Sequence, residues 1–510
     1  MTIPEVHAPV DVAIIGYGPV GATLANLLGQ LGLSVVVLER ETSVHHNPRA
    51  GSLDAEGMRV LQAIGLADEV ARTARIAPGM RFVNAQGQLL LHWRRTGETA
   101  EGWHQAWRFH QPTLETILRR GIARFPQVET LLGVEVTGIE APDGQPVAVT
   151  CHALDTRVER RVAARYVVGC DGGRSLTRRA IGTELLDLGS RERWMVLDIL
   201  LRQDPPDDAL GDSVQHCDPA RPATYIPMVG RRRRWEFMLM PGDDPATIVE
   251  PARVWQLLRP WGVGPDAASI ERAVVYTFHA NVARSWRRGR VLLAGDAAHQ
   301  MPPFLGQGLC AGLRDVANLA WKLAIAVRGA TPDTLLDSYQ SERAPHVREI
   351  IALAVRLGGL IQTVDPAEAA ARDRRMVDAP ETLRVVMPAL GPGLGDGARA
   401  AQPVMADGRR LDDRVGYRFA VLGMPEVLAG VRPCTAEIWH SADTCVVAAD
   451  GAAPEWLARL SCAAVIIRPD RVVLGIASNT GELDAISRLI PLPSATPARA
   501  ATRAAALAPP

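Results

Sequence analysis

The chain has 510 residues, 47% of them apolar, and its 56 Lys+Arg balance 56 Asp+Glu to a net charge of zero. That length exceeds one ordinary domain, at about 100–200 residues each, so two to four units are expected. A neutral balance gives no reason to expect a nucleic-acid partner, and no uncharged apolar stretch reaches the roughly 18 residues that a membrane span needs. The seven cysteines, at 151, 170, 217, 310, 434, 445 and 462, form no C-x-x-C and no metal-ligand spacing, so no metal site is expected. Scattered thiols and an N-terminus without a signal-peptide pattern point to a cytoplasmic protein.

The first pattern in chain order is "VDVAIIGYGPVGATLANLLGQLGLSVVVLER". Residues 10–15 read as an apolar strand, 22–31 as a helix and 34–38 as a second buried strand ending in Glu39. Gly16, Gly18 and Gly21 form G-x-G-x-x-G, with Glu39 placed 23 positions after the first glycine. Gly16 allows the tight turn, Gly18 lets backbone N–H groups approach a pyrophosphate, and Gly21 lets helix and strand pack closely. The helix N-terminus favours phosphate charge, and Glu39 can accept hydrogen bonds from ribose hydroxyls. This marks a dinucleotide site without choosing between NAD and FAD.

Three further stations follow. Arg49 lies in a loop before a helix expected to start near Leu53, either on the surface or holding a phosphate or ring edge. Gln111 opens another helix with Pro112 in its first turn. In "ARYVVGCDGGRSLTRR", residues 166–170 read as a strand, Asp171-Gly172-Gly173 as a turn and Arg174 as the start of a helix. Asp171 could cap that helix or reach a cofactor. In "VLLAGDAAHQMPPFLGQGLCAG", a strand over 291–294 ends at Gly295-Asp296. Pro302 and Pro303 stiffen the loop. Gly306, Gly308 and Gly312 keep side chains away from something flat, and the N-terminus of the next helix, over about 311–321, can stabilise negative charge on a reduced ring.

Between these stations, "RWMVLDILL", "ATYIPMV", "RWEFMLMPG" and "AVVYTFHANVA" read as strands of an antiparallel sheet, and the run Arg231–Arg234 as a solvated hairpin. Residues 346–380 read as helical, followed by the Gly/Pro/Ala linker "MPALGPGLGDGARAAQP". Strand-like runs "RFAVLG", "TCVVAA" and "AAVIIRP" precede an Ala/Pro-biased tail.

The four stations, in this order, resemble the FAD-dependent aromatic hydroxylases of the p-hydroxybenzoate hydroxylase fold. That family's motifs are G-x-G-x-x-G, "DG" and "GD", here Gly16/Gly18/Gly21, Asp171-Gly172 and Gly295-Asp296. "GDAAHQMPPFLGQGLCAGLRDVANLAWKLA" and "SYQSERAPH" carry the same resemblance. "CDPARPATYIPMVGRRRRWEFMLMPGD" and "IIRPDRVVLGIA" are most similar to 3-(3-hydroxyphenyl)propionate hydroxylases within it.

The resemblance implies an α/β fold. A discontinuous Rossmann-like FAD-binding domain is expected over 8–75, 106–183 and 281–345, and an antiparallel-sheet substrate domain over 76–105 and 184–280. A helical segment and linker are expected over 346–400, a thioredoxin-like C-terminal domain lacking C-x-x-C over 401–485, and a disordered tail over 486–510. Such a C-terminal domain would be structural or would form a homodimer.

It also implies site residues. FAD would be held by Gly16, Gly18, Pro19, Gly21, Glu39, Arg40, Arg49, Gln111, Val136, Asp171, Gly295, Asp296, Pro303, Gly306, Gly308 and Leu309. Glu39 would bind the adenosine ribose, Val136 would lie against the adenine, and Arg49 and Gln111 would approach the flavin or its phosphates. Asp296 would bind the ribityl chain or pyrophosphate, and the Gly308 and Leu309 amides would face the pyrimidine edge. Cys310 stands where many members carry Asn; backbone contacts survive that change, a side-chain hydrogen bond does not. NADH or NADPH would dock transiently as reductant. With O₂, a phenolic substrate such as a meta-hydroxyphenyl acid would become a catechol by ortho-hydroxylation through a C4a-hydroperoxyflavin. His216, Tyr225 and His299 are candidates for the base or proton relay, each with a purely structural alternative. Competing readings are a flavin dehydrogenase or reductase of the same fold that never hydroxylates, and a non-catalytic flavin-binding regulator.

Overall fold

The computed structural model describes residues 9–46, 48–205, 211–329, 333–383 and 387–493. Its first sheet runs in the order 287–288, 291–293, 159–169, 10–15, 35–39 and 128–132. Val10–Ile15 pairs in parallel with Val35–Glu39 on one side and Glu159–Gly169 on the other. Both faces of this sheet are covered, which is why its strands read as unbroken apolar runs. Helix Pro19–Gln30 packs between the sheet and helix Gly308–Arg328. That second helix begins three residues before its expected start and runs on to Arg328. All but its first two residues and Arg328 are buried.

The second sheet has nine strands. Its two longest, Leu185–Leu201 and Ala268–Ala283, pair antiparallel along nearly their whole length. Arg232–Met238, Ala223–Pro227, Ser213–His216, Gly79–Val83 and Leu89–Arg94 extend it in turn, and the short Glu381–Thr382 closes that side. A three-stranded bridge of Ser52–Asp54, Ala106–Arg108 and Arg75–Ile76 lies between the two large sheets in the chain. Leu53, expected to open a helix, is therefore strand; the helix is Ala55–Ala63, and the Asp54 carboxylate caps it by accepting from the Gly57 amide at 2.8 Å.

The C-terminal unit is a four-stranded sheet of Ala420–Gly423, Cys445–Ala448, Ala464–Ile467 and Val473–Ala477, ordered second, first, third, fourth. The first pair is parallel and the others antiparallel. Cys434, Cys445 and Cys462 are unpaired thiols. Order continues past 486, where a disordered tail was expected. Helix Thr480–Ser487 crosses that point, and Ile490 beyond it is 3% exposed because it packs into the main core. The rest of the expected tail, 494–510, lies outside the described residues. Among those residues, no single helix is long and apolar enough to cross a membrane, and no group of three or more His, Cys, Asp or Glu could hold a metal ion.

One buried network joins this unit to the long helices. Glu342, on helix Asp333–Ile361, accepts from Lys322 Nζ at 2.8 Å, Asn318 Nδ2 at 2.6 Å, the Leu394 amide at 2.8 Å and both terminal nitrogens of Arg468 at 2.8 Å. Burial alone would raise its pKa, but Lys322 and Arg468 hold it down at about 2. A depressed carboxylate contributes stability at neutral pH that is lost as pH falls from the ordinary carboxylate range toward that value. Glu342→Ala leaves the buried Lys322 without its carboxylate partner and Arg468 with Asp470 alone, and is expected to cost about 3–5 kcal/mol of stability. The check is chemical denaturation at pH 7; an unchanged midpoint contradicts the network's role. The wild-type protein should also lose stability more steeply than the variant between pH 5 and 3.

Candidate active site

A cavity of about 390 Å³ opens where the two large sheets meet. One wall is nearly bare backbone: Gly18, Pro19, Gly172, Gly306, Gly308 and Leu309, with the Asp296 carboxylate among them. The opposite wall is the second sheet, through Val196, Gln215, Thr224, Ile226, Arg234 and Glu236.

The three fingerprint glycines divide by role. Gly16 sits at φ +101°, and a Cβ there would lie 2.4 Å from the Cys170 carbonyl oxygen. A Cβ on Gly21 would lie 2.0 Å from the Gly16 oxygen. These two close the strand-to-helix turn. A Cβ on Gly18 meets nothing within 4 Å; it would project into open space at the cavity wall. No side chain caps helix Pro19–Gln30, whose N-terminus faces the cavity, nor helix Gly308–Arg328. Glu39 ends its strand with Oε2 accepting from the Tyr17 amide at 2.6 Å and Oε1 from the Glu41 amide at 2.8 Å. Bare backbone, two uncapped helix N-termini and one carboxylate suit the pyrophosphate, polyol and ring edge of a flavin dinucleotide.

Other expected contacts act at one remove. Gln111 accepts from the Arg49 and Ala50 amides at 2.7 and 2.6 Å and donates to Glu115 at 2.7 Å, so its side chain shapes the Arg49 loop. Asp171 accepts from Ser175 Oγ, the Thr177 amide and Thr177 Oγ1, which ties it to the start of helix Leu176–Ala180; its neighbour Gly172, at φ +75°, reaches the cavity instead. Arg40 is exposed and pairs with Glu135 at 3.7 Å, while Val136 is half-buried on strand Val134–Glu140; neither lines the cavity. Pro303 and Arg49 do line it. Gly295 is a turn residue at φ +60°, and Asp296 after it faces the cavity. The protein around Asp296 raises its pKa, against the pull of His299 and Arg49. Cys310 is fully buried with its thiol toward the Ser52 carbonyl at 3.8 Å, outside the cavity.

None of the three expected proton-relay residues reaches the cavity. His299 is 1% exposed, and its Nε2 meets Asp315 Oδ2 at 2.6 Å, so it braces the Gly295 turn. His216 and Tyr225 lie on the sheet face turned away from the cavity. There both rings pack on Trp261, Tyr225 also on Trp235, and burial pushes His216 down to about 4. Successive strand side chains alternate faces. Thus Gln215, Thr224 and Ile226 take the cavity face and their chain neighbours do not.

The same alternation corrects the reading of Arg231–Arg234 as a solvated hairpin. Only its start is exposed; Arg233 and Arg234 are buried, and Arg234 and Glu236 face the cavity. Arg234 donates to Asp198 at 2.7 and 3.2 Å and to the Pro48 and Arg49 carbonyls at 2.7 and 2.9 Å, which fixes the Arg49 loop to the sheet. Arg272 also pairs with Asp198, at 2.6 Å. Two more cavity arginines have no carboxylate within ion-pair distance among the described residues. Arg108 donates to Ser213 Oγ at 2.6 Å, and burial beside Arg95 lowers it to about 9. Arg95 stacks 3.4 Å from the Trp93 ring centroid with Nε and Nη2 unpartnered, and burial lowers it to about 10. The two-residue spacing of Arg234 and Glu236 was the available signal for this wall; nothing local marked Arg95 or Arg108.

A sequence profile for a family described as "FAD binding domain" matches residues 9–354. The chain is 38% identical over 522 residues to a probable NADH-specific resorcinol 4-hydroxylase of Rhodococcus jostii, covering 96% of this chain and 97% of that one. It is 35% identical over 512 residues to a 3-(3-hydroxy-phenyl)propionate/3-hydroxycinnamic acid hydroxylase of Burkholderia cenocepacia, covering 91% and 93%. Among solved structures, the flavin-dependent monooxygenase PieE in complex with FAD and substrate shares the fold, with TM-score 0.77 at 21% identity over 95% of this chain and 98% of that one. With a profile match over most of its length, relatives this similar end to end, and a cavity wall suited to a flavin dinucleotide, the chain belongs to the FAD-dependent aromatic hydroxylases.

Proposed function

We propose that this flavoprotein monooxygenase consumes NAD(P)H and O₂ to hydroxylate a meta-hydroxyphenyl acid ortho to its hydroxyl, giving a catechol. The observation that carries the substrate class is the pair Arg95 and Arg108, two buried cavity cations without a carboxylate partner. A substrate carboxylate would offset that charge, and Arg108 keeps guanidinium donors beyond the one given to Ser213. A hydroxylase of this chain's length named for 3-(3-hydroxy-phenyl)propionate supports the same class. The relative named for resorcinol favours a second reading, a neutral dihydroxybenzene.

Bound FAD would supply the redox chemistry, storing electrons from the nicotinamide and activating oxygen. The chain's own residues supply position and environment. Gly18 and the first turn of helix Pro19–Gln30 would receive the pyrophosphate, Glu39 the ribose, Asp296 the polyol, and the Gly308 and Leu309 amides the ring edge. Val196, Ile226 and Met228 exclude water beside the aromatic ring. The strand order of the C-terminal unit supports a thioredoxin-like assignment; without C-x-x-C it serves as structure or as a homodimer contact. A cytoplasmic site of action agrees with the free thiols.

Three measurements test this reading. Gly18→Val should yield folded, colourless protein, because a Cβ there meets no protein atom within 4 Å and projects into the space the cofactor would fill; stoichiometric FAD in that variant, by absorbance, contradicts the fingerprint role. Asp296→Ala should weaken FAD binding by about 10–100-fold, the worth of hydrogen bonds to a charged group at about 1.5–3 kcal/mol, without lowering apoprotein melting temperature. Arg108→Met should raise KM for 3-(3-hydroxyphenyl)propionate by about 10-fold or more and leave resorcinol kinetics nearly unchanged. Equal effects on both substrates, or wild-type turnover of resorcinol alone, would favour the neutral-substrate reading.

A further inference from the structure

Two carboxylates line the cavity, Asp296 on the bare-backbone wall and Glu236 on the sheet wall. Glu236 sits at the middle of strand Arg232–Met238, between Val196 and Thr224 on the neighbouring strands. It is 5% exposed. Buried carboxylates elsewhere in this protein are engaged: Asp198 by Arg234 and Arg272, and Asp315 by His299 and Arg343. Among the described residues Glu236 has no hydrogen-bond or ion-pair partner, and it lines the cavity. A buried carboxylate left without a donor costs free energy that a ligand donor would recover.

Resting on the aromatic-hydroxylase reading above, we propose that Glu236 accepts the phenolic proton of the substrate. The substrate O–H bond breaks, the proton moves to a Glu236 carboxyl oxygen, and the electron pair stays on the phenol oxygen. The phenolate then donates electron density to the ortho carbon that is to be hydroxylated. The groups facing Glu236 fit this role. Arg234 stands two residues away on the same strand, Asp198 on the neighbouring strand, Arg272 on the strand beyond it, and Arg108 on Ala106–Arg108. Arg234 and Arg272 share Asp198, which leaves them partly compensated and Glu236 unclaimed. Arg234 and Arg272 are placed to stabilise a phenolate, while Arg108 is left for the substrate carboxylate. Burial raises the Glu236 pKa while Arg234 opposes it. The base works when deprotonated, so turnover is present above its folded-state pKa and is lost as pH falls through it. A raised value places that limb above the ordinary carboxylate range and reduces the mismatch with a phenol.

Two variants of the holoenzyme separate proton acceptance from packing, with FAD content as the check on folding. Glu236→Gln keeps the shape and a hydrogen-bond acceptor but cannot take the proton. It should bind 3-(3-hydroxyphenyl)propionate within about threefold of wild type, by perturbation of the flavin spectrum, while kcat falls about 100-fold and the acid limb of the pH profile disappears. Glu236→Leu removes the acceptor too. It should weaken the hydroxy ligand about tenfold and leave the 3-(3-methoxyphenyl)propionate ether, which has no proton to give, within about threefold. Retained turnover and an unshifted limb in Glu236→Gln overturn the proposal. So does equal weakening of both ligands in Glu236→Leu, or a limb that vanishes instead in His279→Asn, His279 being a histidine that also lines the cavity, on strand Ala268–Ala283. If wild-type enzyme puts no oxygen into any phenol, the hydroxylase reading falls, and the comparison of hydroxy and methoxy ligands still decides whether Glu236 engages the phenolic hydroxyl; equal weakening of the two overturns the proposal.

Discussion

The Asp315 carboxylate, wholly buried in helix Gly308–Arg328, holds the site together. Its Oδ2 accepts from the Gly295 amide at 3.0 Å and meets His299 Nε2 at 2.6 Å, while Oδ1 accepts from Arg343 Nε at 2.9 Å. Burial alone would raise its pKa; His299 and Arg343 reverse that and lower it. One charge therefore ties the turn after a sheet strand to two long helices. The turn's shape aims Asp296 at the cavity, and the same helix presents its uncapped N-terminus to that cavity. The cost of burying this ion is offset by the Arg343 guanidinium, the His299 ring and an amide, so it is rigid, as a cofactor wall needs to be.

The second sheet is tied to the first by a similar device. Arg234 reaches from its strand to the Pro48 and Arg49 carbonyls, while Gln111 holds the amides of the same loop from the other side. The loop that would meet the flavin is thus fixed from the second sheet on one side and from helix Gln111–Ile122 on the other. The cavity between them has two chemical faces. The glycine wall offers amides and the sheet wall offers buried charges, which suits a dinucleotide on one side and a polar aromatic on the other.

Backbone-encoded parts of the site were readable from the chain. G-x-G-x-x-G, the Gly172 turn and the Gly295–Gly312 run announce themselves because only glycine tolerates a positive φ or a close approach, as Gly16 and Gly21 do here. These requirements are local, so short stretches of sequence carry them. The apolar strands of the parallel sheet were legible for the same reason, since burial on both faces leaves no alternation to decode. Helix limits were less so: a strand occupies Ser52–Asp54 because it pairs with Ala106–Arg108, a partner more than fifty residues away.

Side-chain roles on the sheet wall were decided only by tertiary structure. Composition marked His216, Tyr225 and His299 as the chemically apt residues, yet a strand turns alternate residues to opposite faces, and which face meets the cavity depends on how the whole sheet docks. Gln215 and Thr224 won the inward positions that His216 and Tyr225 lost. Arg231–Arg234 looked like a solvated charge run because charge normally seeks water; Asp198 and two loop carbonyls, distant in sequence, made burial of Arg234 tolerable. The sequence by itself determined where a dinucleotide's phosphates and ring could be approached, since that depends on backbone freedom. The fold alone decided which charges line the cavity, because those charges come from strands separated by more than a hundred residues and share an address only after the two sheets close on each other.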